Sequence, residues 1–369
     1  MADGGGGSSA ATGGAPATHG GTPNLAGAAG ASTTPQTVAG AGADGVGGTS
    51  SSSGGGAGAA GSSAGAGTGG SGSAGEGTGG SAGSSPVAFP SEPSPISLAD
   101  DAGYCWFEGS RALMVGDKLV VGSVASGWSV AARKGDIEAI VYDFGTGKST
   151  AIELHDRLEL DDHDSAGFVV RPDGKLLALY AKHGTEDHFY YRVSNSASLL
   201  DWSAEKTFTP TAATLLTYSN LFLLPAENNR IYDFYRGLDN SYKPSFAYSD
   251  DSGQTWKSGN VVINVPSTQK HRPYVRYATN GTDTVHLVYT EAHPRDFDNS
   301  LYHVSYRQGM LYKTDGSALH ALSQGLTSPD EGSRIFQGNA DNVAWGMDVT
   351  LDAMSRPVVL YSVQVGSAG

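Results

Sequence analysis

From Trp106 onward the chain is a succession of short alternating apolar runs cut by turn residues, and helical three-four periodicity is nearly absent. ALMVGDKLVVGSV, IEAIVYDFGTGKSTAIEL, GFVVRPDGKLLALYAK and HFYYRVS each spell strands whose breaks fall on Gly-Asp, Gly-Thr-Gly or Pro-Asp-Gly. A period of two with turn chemistry between the runs is the signature of antiparallel hairpins. It recurs through LFLLPAENNRIYDFYRG, SFAYSDDSGQTW, TVHLVYTEA, LYHVSYRQGMLYKTDGS and RPVVLYSVQV; the best helical candidate is the short SASLLDW. So many short hairpins predict an all-β domain, and a β-propeller suits them better than a single sandwich.

Composition sets the limits of that domain. Of the 53 Gly, 30 fall in residues 1–85, and no Lys or Arg precedes Arg111. A segment with almost no large apolar residues cannot bury enough surface to offset the entropy of ordering, so residues 1–98 read as a disordered low-complexity tether. Residues 99–369 read as the folded domain, and the Gly spacing keeps no collagen-like period. The net charge of −14 argues against a nucleic-acid surface while leaving room for a basic pocket. Cys105 is the one cysteine, which excludes an intramolecular disulfide framework and a Cys-based metal centre. No apolar stretch is long enough for a membrane span. Residues 1–30 have no signal-peptide pattern, which taken literally means cytoplasmic. A Gly/Ser tether ahead of a carbohydrate-type domain instead suggests an export signal upstream of Met1, and the expectation is a secreted or cell-surface protein.

The segment Ser249-Asp250-Asp251-Ser252-Gly253-Gln254-Thr255-Trp256 fits Ser-x-Asp-x-Gly-x-x-Trp, an Asp box. Its carboxylate accepts backbone N–H bonds inside a hairpin turn, its Gly supplies positive φ and its Trp packs beneath. Ser249, Asp251, Gly253 and Trp256 are therefore expected to be architectural.

Chemistry is densest at Asp161-Asp162-His163-Asp164 and, past a strand, a turn and a second strand, at Tyr180-Ala181-Lys182-His183-Gly184. Histidines at matching ends of neighbouring strands reach one rim, where imidazole suits proton transfer and nearby Asp residues orient it. Metal binding, with His188 as an extra ligand, and a plain capped turn are the rival readings. Tyr218, Arg236, Arg272, Tyr274, Glu291 and His293 also end or follow apolar strands, which would let them converge at a propeller mouth.

The order DDH, PDGK, Tyr-x-x-His-Gly, Tyr-Ser-Asn, Tyr-Arg-Gly, Asp box, His-Arg-Pro-Tyr-Val and His-Pro-Arg, from about residue 103 to 365, resembles the BNR-repeat-containing family that includes ulvan lyases. The resemblance implies a seven-bladed propeller that cleaves an anionic, sulfated, uronate-containing polysaccharide by β-elimination. It implies His163 and Tyr218 as the acid/base pair, His183 and Arg236 beside the uronate carboxylate, and Tyr274 supporting the substrate, where Arg272 and His293 are expected to bind as well. Such chemistry requires no cofactor, though a structural metal ion is compatible with it. Asp164 departs from the family pattern; its charge would raise the pKa of His163 or repel an anionic substrate. At about 45 residues per blade the domain holds about six blades, so C-terminal blades are expected to be missing. Two other functions fit the motifs: a non-catalytic glycan-binding propeller, and a sialidase-type hydrolase recruiting Arg236, Arg272, Arg276 and Glu291.

Overall fold

The computed structural model describes residues 94–239, 243–268 and 271–367. The expected tether therefore lies almost wholly outside the described residues. The domain is all-β, as the alternation predicts, and SASLLDW forms a turn instead of a helix. There the Leu199 N–H bonds to the Ser196 carbonyl, and the Trp202 indole N–H caps the Leu199 carbonyl at 3.0 Å.

The first sheet runs β1 (Ala112–Val115), β2 (Lys118–Val124), β3 (Ile137–Asp143) and β4 (Lys148–His155), each antiparallel to the last. The second repeats the pattern with β5 (Gly167–Val170), β6 (Leu176–Tyr180), β7 (Phe189–Val193) and β8 (Lys206–Phe208). The third uses β9 (Ala213–Leu224), β10 (Arg230–Leu238), β11 (Lys243–Ser249) and β12 (Lys257–Val261). In the fourth, β13 (Val275–Thr279), β14 (Thr284–Thr290) and β15 (Leu301–Arg307) are followed by β16 (Met310–Tyr312) and β17 (Ala318–Ala321). There β18 (Ser333–Phe336) returns to share the outer edge of β15 with β16. A final hairpin pairs β19 (Asn342–Leu351) with β20 (Pro357–Val365). The array thus has four sheets and a hairpin where the length arithmetic suggested about six blades, because the fourth sheet alone extends to Phe336.

Apolar clusters lie between successive sheets, which stack face to face like propeller blades. Val120, Ile137 and Leu154 meet Leu176, Ala178 and Tyr180 between the first and second. Leu177, Leu179 and Phe189 meet Ile231, Tyr235 and Trp256 between the second and third. Phe234 and Phe246 meet Leu287, Tyr289 and Val304 between the third and fourth, and Val288 and Leu301 meet Ala344 and Val349 at the hairpin. Burying such side chains contributes about 1.5–3 kcal/mol each, which makes these seams the main source of stability.

The Asp box closes the β11–β12 turn. Asp251 accepts from the Gln254 and Thr255 N–H groups at 3.1 and 2.9 Å and from Thr255 Oγ1 at 2.5 Å. Ser249 Oγ donates to the same carboxylate at 2.8 Å. Gly253 has φ 79°, and a Cβ there would lie 2.6 Å from Leu177 of the neighbouring sheet. Asp251→Ala is expected to cost about 2 kcal/mol by stranding these donors, measured as a lowered denaturant midpoint with whatever activity the protein has retained.

A second seam feature gives the fold an acid limit. His286 Nδ1 lies 3.0 Å from His303 Nε2, and His303 Nδ1 lies 2.7 Å from Thr314 Oγ1. Burial lowers both pKa values, that of His303 to about 4, and the His286 charge pushes His303 the same way. Unfolded histidine takes a proton near 6.5 and the folded pair refuses it, so stability is full above that pH and is lost as pH falls toward about 4. Replacing His303 with Gln should flatten the slope of unfolding free energy against pH in this window by about one proton; an unchanged slope would refute the assignment.

Candidate active site

One end of the array collects the polar residues. His163 sits on the 3-10 turn Asp162–Asp164 ahead of β5, and His183 follows β6. Since Gly167 pairs with Leu179, those two positions lie at the same end of neighbouring strands. The rings stack, with centroids 4.1 Å apart and planes 14° from parallel. Asp161 lies between them: Oδ1 is 2.5 Å from His163 Nδ1 and Oδ2 is 3.0 Å from His183 Nδ1. Asp161 also accepts the His163 backbone N–H, which fixes its carboxylate.

Tyr218 reaches this pair from β9 through a backbone irregularity. Its φ is 64°, and the β9–β10 register slips by one residue between Asn220 opposite Phe234 and Thr217 opposite Arg236. A bulge of this kind re-aims a side chain, and a non-glycine residue at positive φ stores about 1–3 kcal/mol of strain. Neighbours hold it. Asn220 Nδ2 donates to the Tyr218 carbonyl at 2.7 Å, and the Asn220 N–H donates to buried Asp233 at 2.9 Å. The Tyr218 hydroxyl consequently lies 3.2 Å from His183 Nε2.

Arg236 of β10 sits across the Tyr218 ring at 4.7 Å and near Tyr274 at 5.8 Å. Its Nε and Nη1 are buried and have no hydrogen-bond partner. It borders a narrow cavity between the third and fourth sheets, lined also by Phe107, Tyr218, Tyr235 and Val275. Tyr274 packs on Phe107 at 4.0 Å and edge-on to His293 at 4.9 Å. Arg272 stands 3.8 Å from Asp296, which also lies 3.3 Å from His293. The predicted residues His163, His183, Tyr218, Arg236 and Tyr274 are thus gathered by direct contact, and Arg272 and His293 continue the same rim. His188 is elsewhere, beside Asp187 and Glu186.

The electrostatics separate the two histidines. Burial alone would lower His163, yet Cys105 and Asp161 as partners raise its pKa to about 9. His183 is lowered by burial and by the charge on His163, with Asp161 opposing. At neutral pH one ring is a cation and the other a neutral acceptor whose Nε2 faces the Tyr218 hydroxyl. Burial pushes that phenol well above its usual range, with Arg236 opposing. Asp164 adds no negative charge here: it is buried, neither oxygen has a partner, and burial, aided by Glu159, Asp161 and Glu108, pushes its pKa to about 9. A neutral carboxyl does not repel an anion.

Asp161, His163 and His183 offer ligand atoms within 4.8 Å of one another, as do Cys105, Asp162 and His163. Both sets use His163, so they could not be filled independently.

Sequence reasoning passed over the segment that supports all of this. Residues Trp106–Glu108 form a 3-10 turn that touches residues of β9 and β13. The Arg276 guanidinium donates to the Phe107 and Trp106 carbonyls at 2.9 and 2.8 Å, and Phe107 meets Tyr218 edge-on at 5.4 Å. The aromatic pair inside CWFE, flanked by Glu108 and Arg111, was the available signal.

Face-stacked antiparallel sheets with a histidine-tyrosine-arginine cluster at one end define a propeller-like protein. The chain belongs to the BNR repeat-containing family, which it matches over residues 104–368. Among solved structures it is similar to an ulvan lyase, a polysaccharide lyase, with TM-score 0.55, 16% identity, and 73% of this chain and 69% of that one covered. An ulvan lyase bound to -[GlcA(1-4)Rha3S]- gives TM-score 0.57, 15% identity, and coverage of 74% and 70%. At such identity the likeness speaks for the fold. Comparison with curated proteins gives no match. No helix among the described residues is long and apolar enough to cross a membrane.

Proposed function

We propose that this protein is a polysaccharide lyase that cleaves a uronate-containing anionic polymer, ulvan-like in kind, by β-elimination. The observation that carries the reading is the half-buried Arg236 guanidinium, two of whose nitrogens are buried without a protein partner, beside a Tyr218 hydroxyl that is already directed at a neutral imidazole. An unpaired buried cation is costly unless a ligand anion completes it.

The chemistry follows. The proton on C5 of a uronate is too weakly acidic while the adjacent carboxylate is charged. Arg236 and the protonated His163 ring neutralise that carboxylate and stabilise the developing enolate. Tyr218 removes the C5 proton as its own passes to His183 Nε2, and Asp161 stabilises the imidazolium so formed. The C4–O4 bond breaks, C4=C5 forms, and O4 takes a proton from Tyr218, which recovers its own from His183. Protons and electrons balance without a redox partner. The family resemblance pairs Tyr218 with His163; the 3.2 Å contact and the charge state of His163 favour His183 as the proton partner. A polymeric substrate too large to enter a cell goes with secretion or surface display.

The test is purified protein incubated with ulvan and other polyuronates while the ultraviolet absorbance of unsaturated uronate ends is followed. A rise lost in Arg236→Met supports elimination. Binding of the polymers with a flat trace would make the protein a glycan-binding propeller instead, and release of free sugar acid without absorbance would make it a hydrolase.

A further inference from the structure

The rim beyond Tyr274 holds more cationic and aromatic surface than elimination at one uronate uses. His293 is buried, and its Nδ1 accepts the Arg295 N–H at 3.1 Å. Burial lowers its pKa to about 4; Arg272, Arg295 and Arg236 push the same way, against Asp296. Three guanidinium groups are therefore felt at one neutral ring, in a chain of net charge −14. The Arg295 guanidinium lies 5.8 Å from the centre of the Trp345 ring, which the sequence places fifty residues downstream, in β19. Trp345 tilts against Trp106 at 5.4 Å and meets Tyr274 edge-on at 5.8 Å. Its indole Nε1 is buried without a hydrogen-bond partner, and Trp106 remains 42% exposed.

We propose that Arg272, Arg295 and Trp345 form a second subsite, which takes the anionic substituent of the sugar next to the uronate held at Arg236. The inference rests on the lyase reading for its register and names what that reading leaves open, the recognition of the neighbouring residue. Arg236 to Tyr274, Tyr274 to His293 and His293 to Trp345 are steps of 5.8, 4.9 and 6.3 Å, so the two anion sites are neighbours along one wall. Planar guanidinium groups match the oxygens of an ester sulfate or a carboxylate, and an indole face beside them suits the apolar C–H face of a pyranose. With its Nδ1 accepting from Arg295, neutral His293 keeps its Nε2–H as a donor for that sugar.

The experiment compares Arg295→Gln with wild type on three polymers: ulvan, chemically desulfated ulvan, and polygalacturonate, which carries carboxylates and no sulfate. Arg295 is exposed, so the variant should unfold at the wild-type temperature. A charge-assisted contact is worth about 1.5–3 kcal/mol, or about 10–150-fold. If sulfate is the ligand, the ulvan-to-desulfated ratio of kcat/KM falls by at least about tenfold in the variant. If carboxylate is the ligand, the same loss appears on polygalacturonate and the sulfate ratio stays put. Equal losses on all three polymers, or none, overturn the subsite. Should wild type cleave nothing, calorimetric binding of the same polymers decides: selectivity that depends on Arg295 keeps the subsite while the elimination reading falls. Binding indifferent to the substitution, or no binding at all, removes the subsite as well.

Discussion

Tyr218→Phe should reduce turnover of a susceptible polyuronate by about 10²–10⁴-fold with little change in affinity. The substitution removes one oxygen and keeps the ring that packs on Phe107 and lies under Arg236. The lost factor belongs to proton transfer, so it should fall on kcat and not on KM. The pH profile is the sharper reading. His183 works as a neutral acceptor, and its pKa lies below 6.5, so kcat/KM should climb on an acid limb below that value. His163 works as a cation with its pKa near 9, so activity should fall as pH rises through about 9. Asp164 ionises over the same range and would add to that loss by placing a charge beside the site. If His163 were the base, the rate would instead keep climbing through pH 9. A rate still rising there, with Tyr218→Phe near wild type, would discard the proton relay drawn here.

The legible parts of this site are those whose geometry depends on local pairing. His163 and His183 stand on either side of one hairpin, and two strands joined by a Pro-Asp-Gly turn put their open ends together whatever the rest of the chain does. The alternation that marked the strands also fixed which faces meet between the sheets, because a one-residue slip would turn every core side chain outward. The bulge at Tyr218 could not be read this way. Nothing in Tyr-Ser-Asn distinguishes a straight strand from one that doubles a residue, and the φ of 64° is held by Asn220 and by Asp233 from the next strand. Trp345 and Trp106 are far apart in sequence and meet only through tertiary packing. The charge state of Asp164 was hidden for a related reason: a carboxylate in sequence is an anion by default, and only burial among other acids makes it a neutral group.

Arg111→Met should be the most destabilising of the substitutions considered, at about 3–5 kcal/mol. Arg111 and Glu108 have side chains only 2% and 1% exposed, with Nη2 and Oε1 3.2 Å apart. Glu108 also accepts from Ser165 Oγ, which ties the inner segment to the turn that carries His163. Burial raises the Glu108 pKa, with Arg111 the first of the influences opposing it, and Arg111 also opposes the rise at fully buried Asp233. Methionine fills much of the volume and leaves Glu108 without its counter-charge, and an uncompensated buried carboxylate is what makes breaking such a pair expensive. For a domain of this size the midpoint should drop by on the order of 10 °C. Adding Glu108→Gln to Arg111→Met removes the stranded charge and should recover a substantial part of the loss, since the two sites share one interaction. A double variant no more stable than the single one would mean that Arg111 acts through packing against Gly167, where a Cβ would lie 3.2 Å from its Nη1, and not through charge. Either result bears on the active end of the molecule. Phe107, one residue before Glu108, is the surface on which both Tyr218 and Tyr274 rest, so a loosened inner segment should cost activity before the sheets themselves come apart.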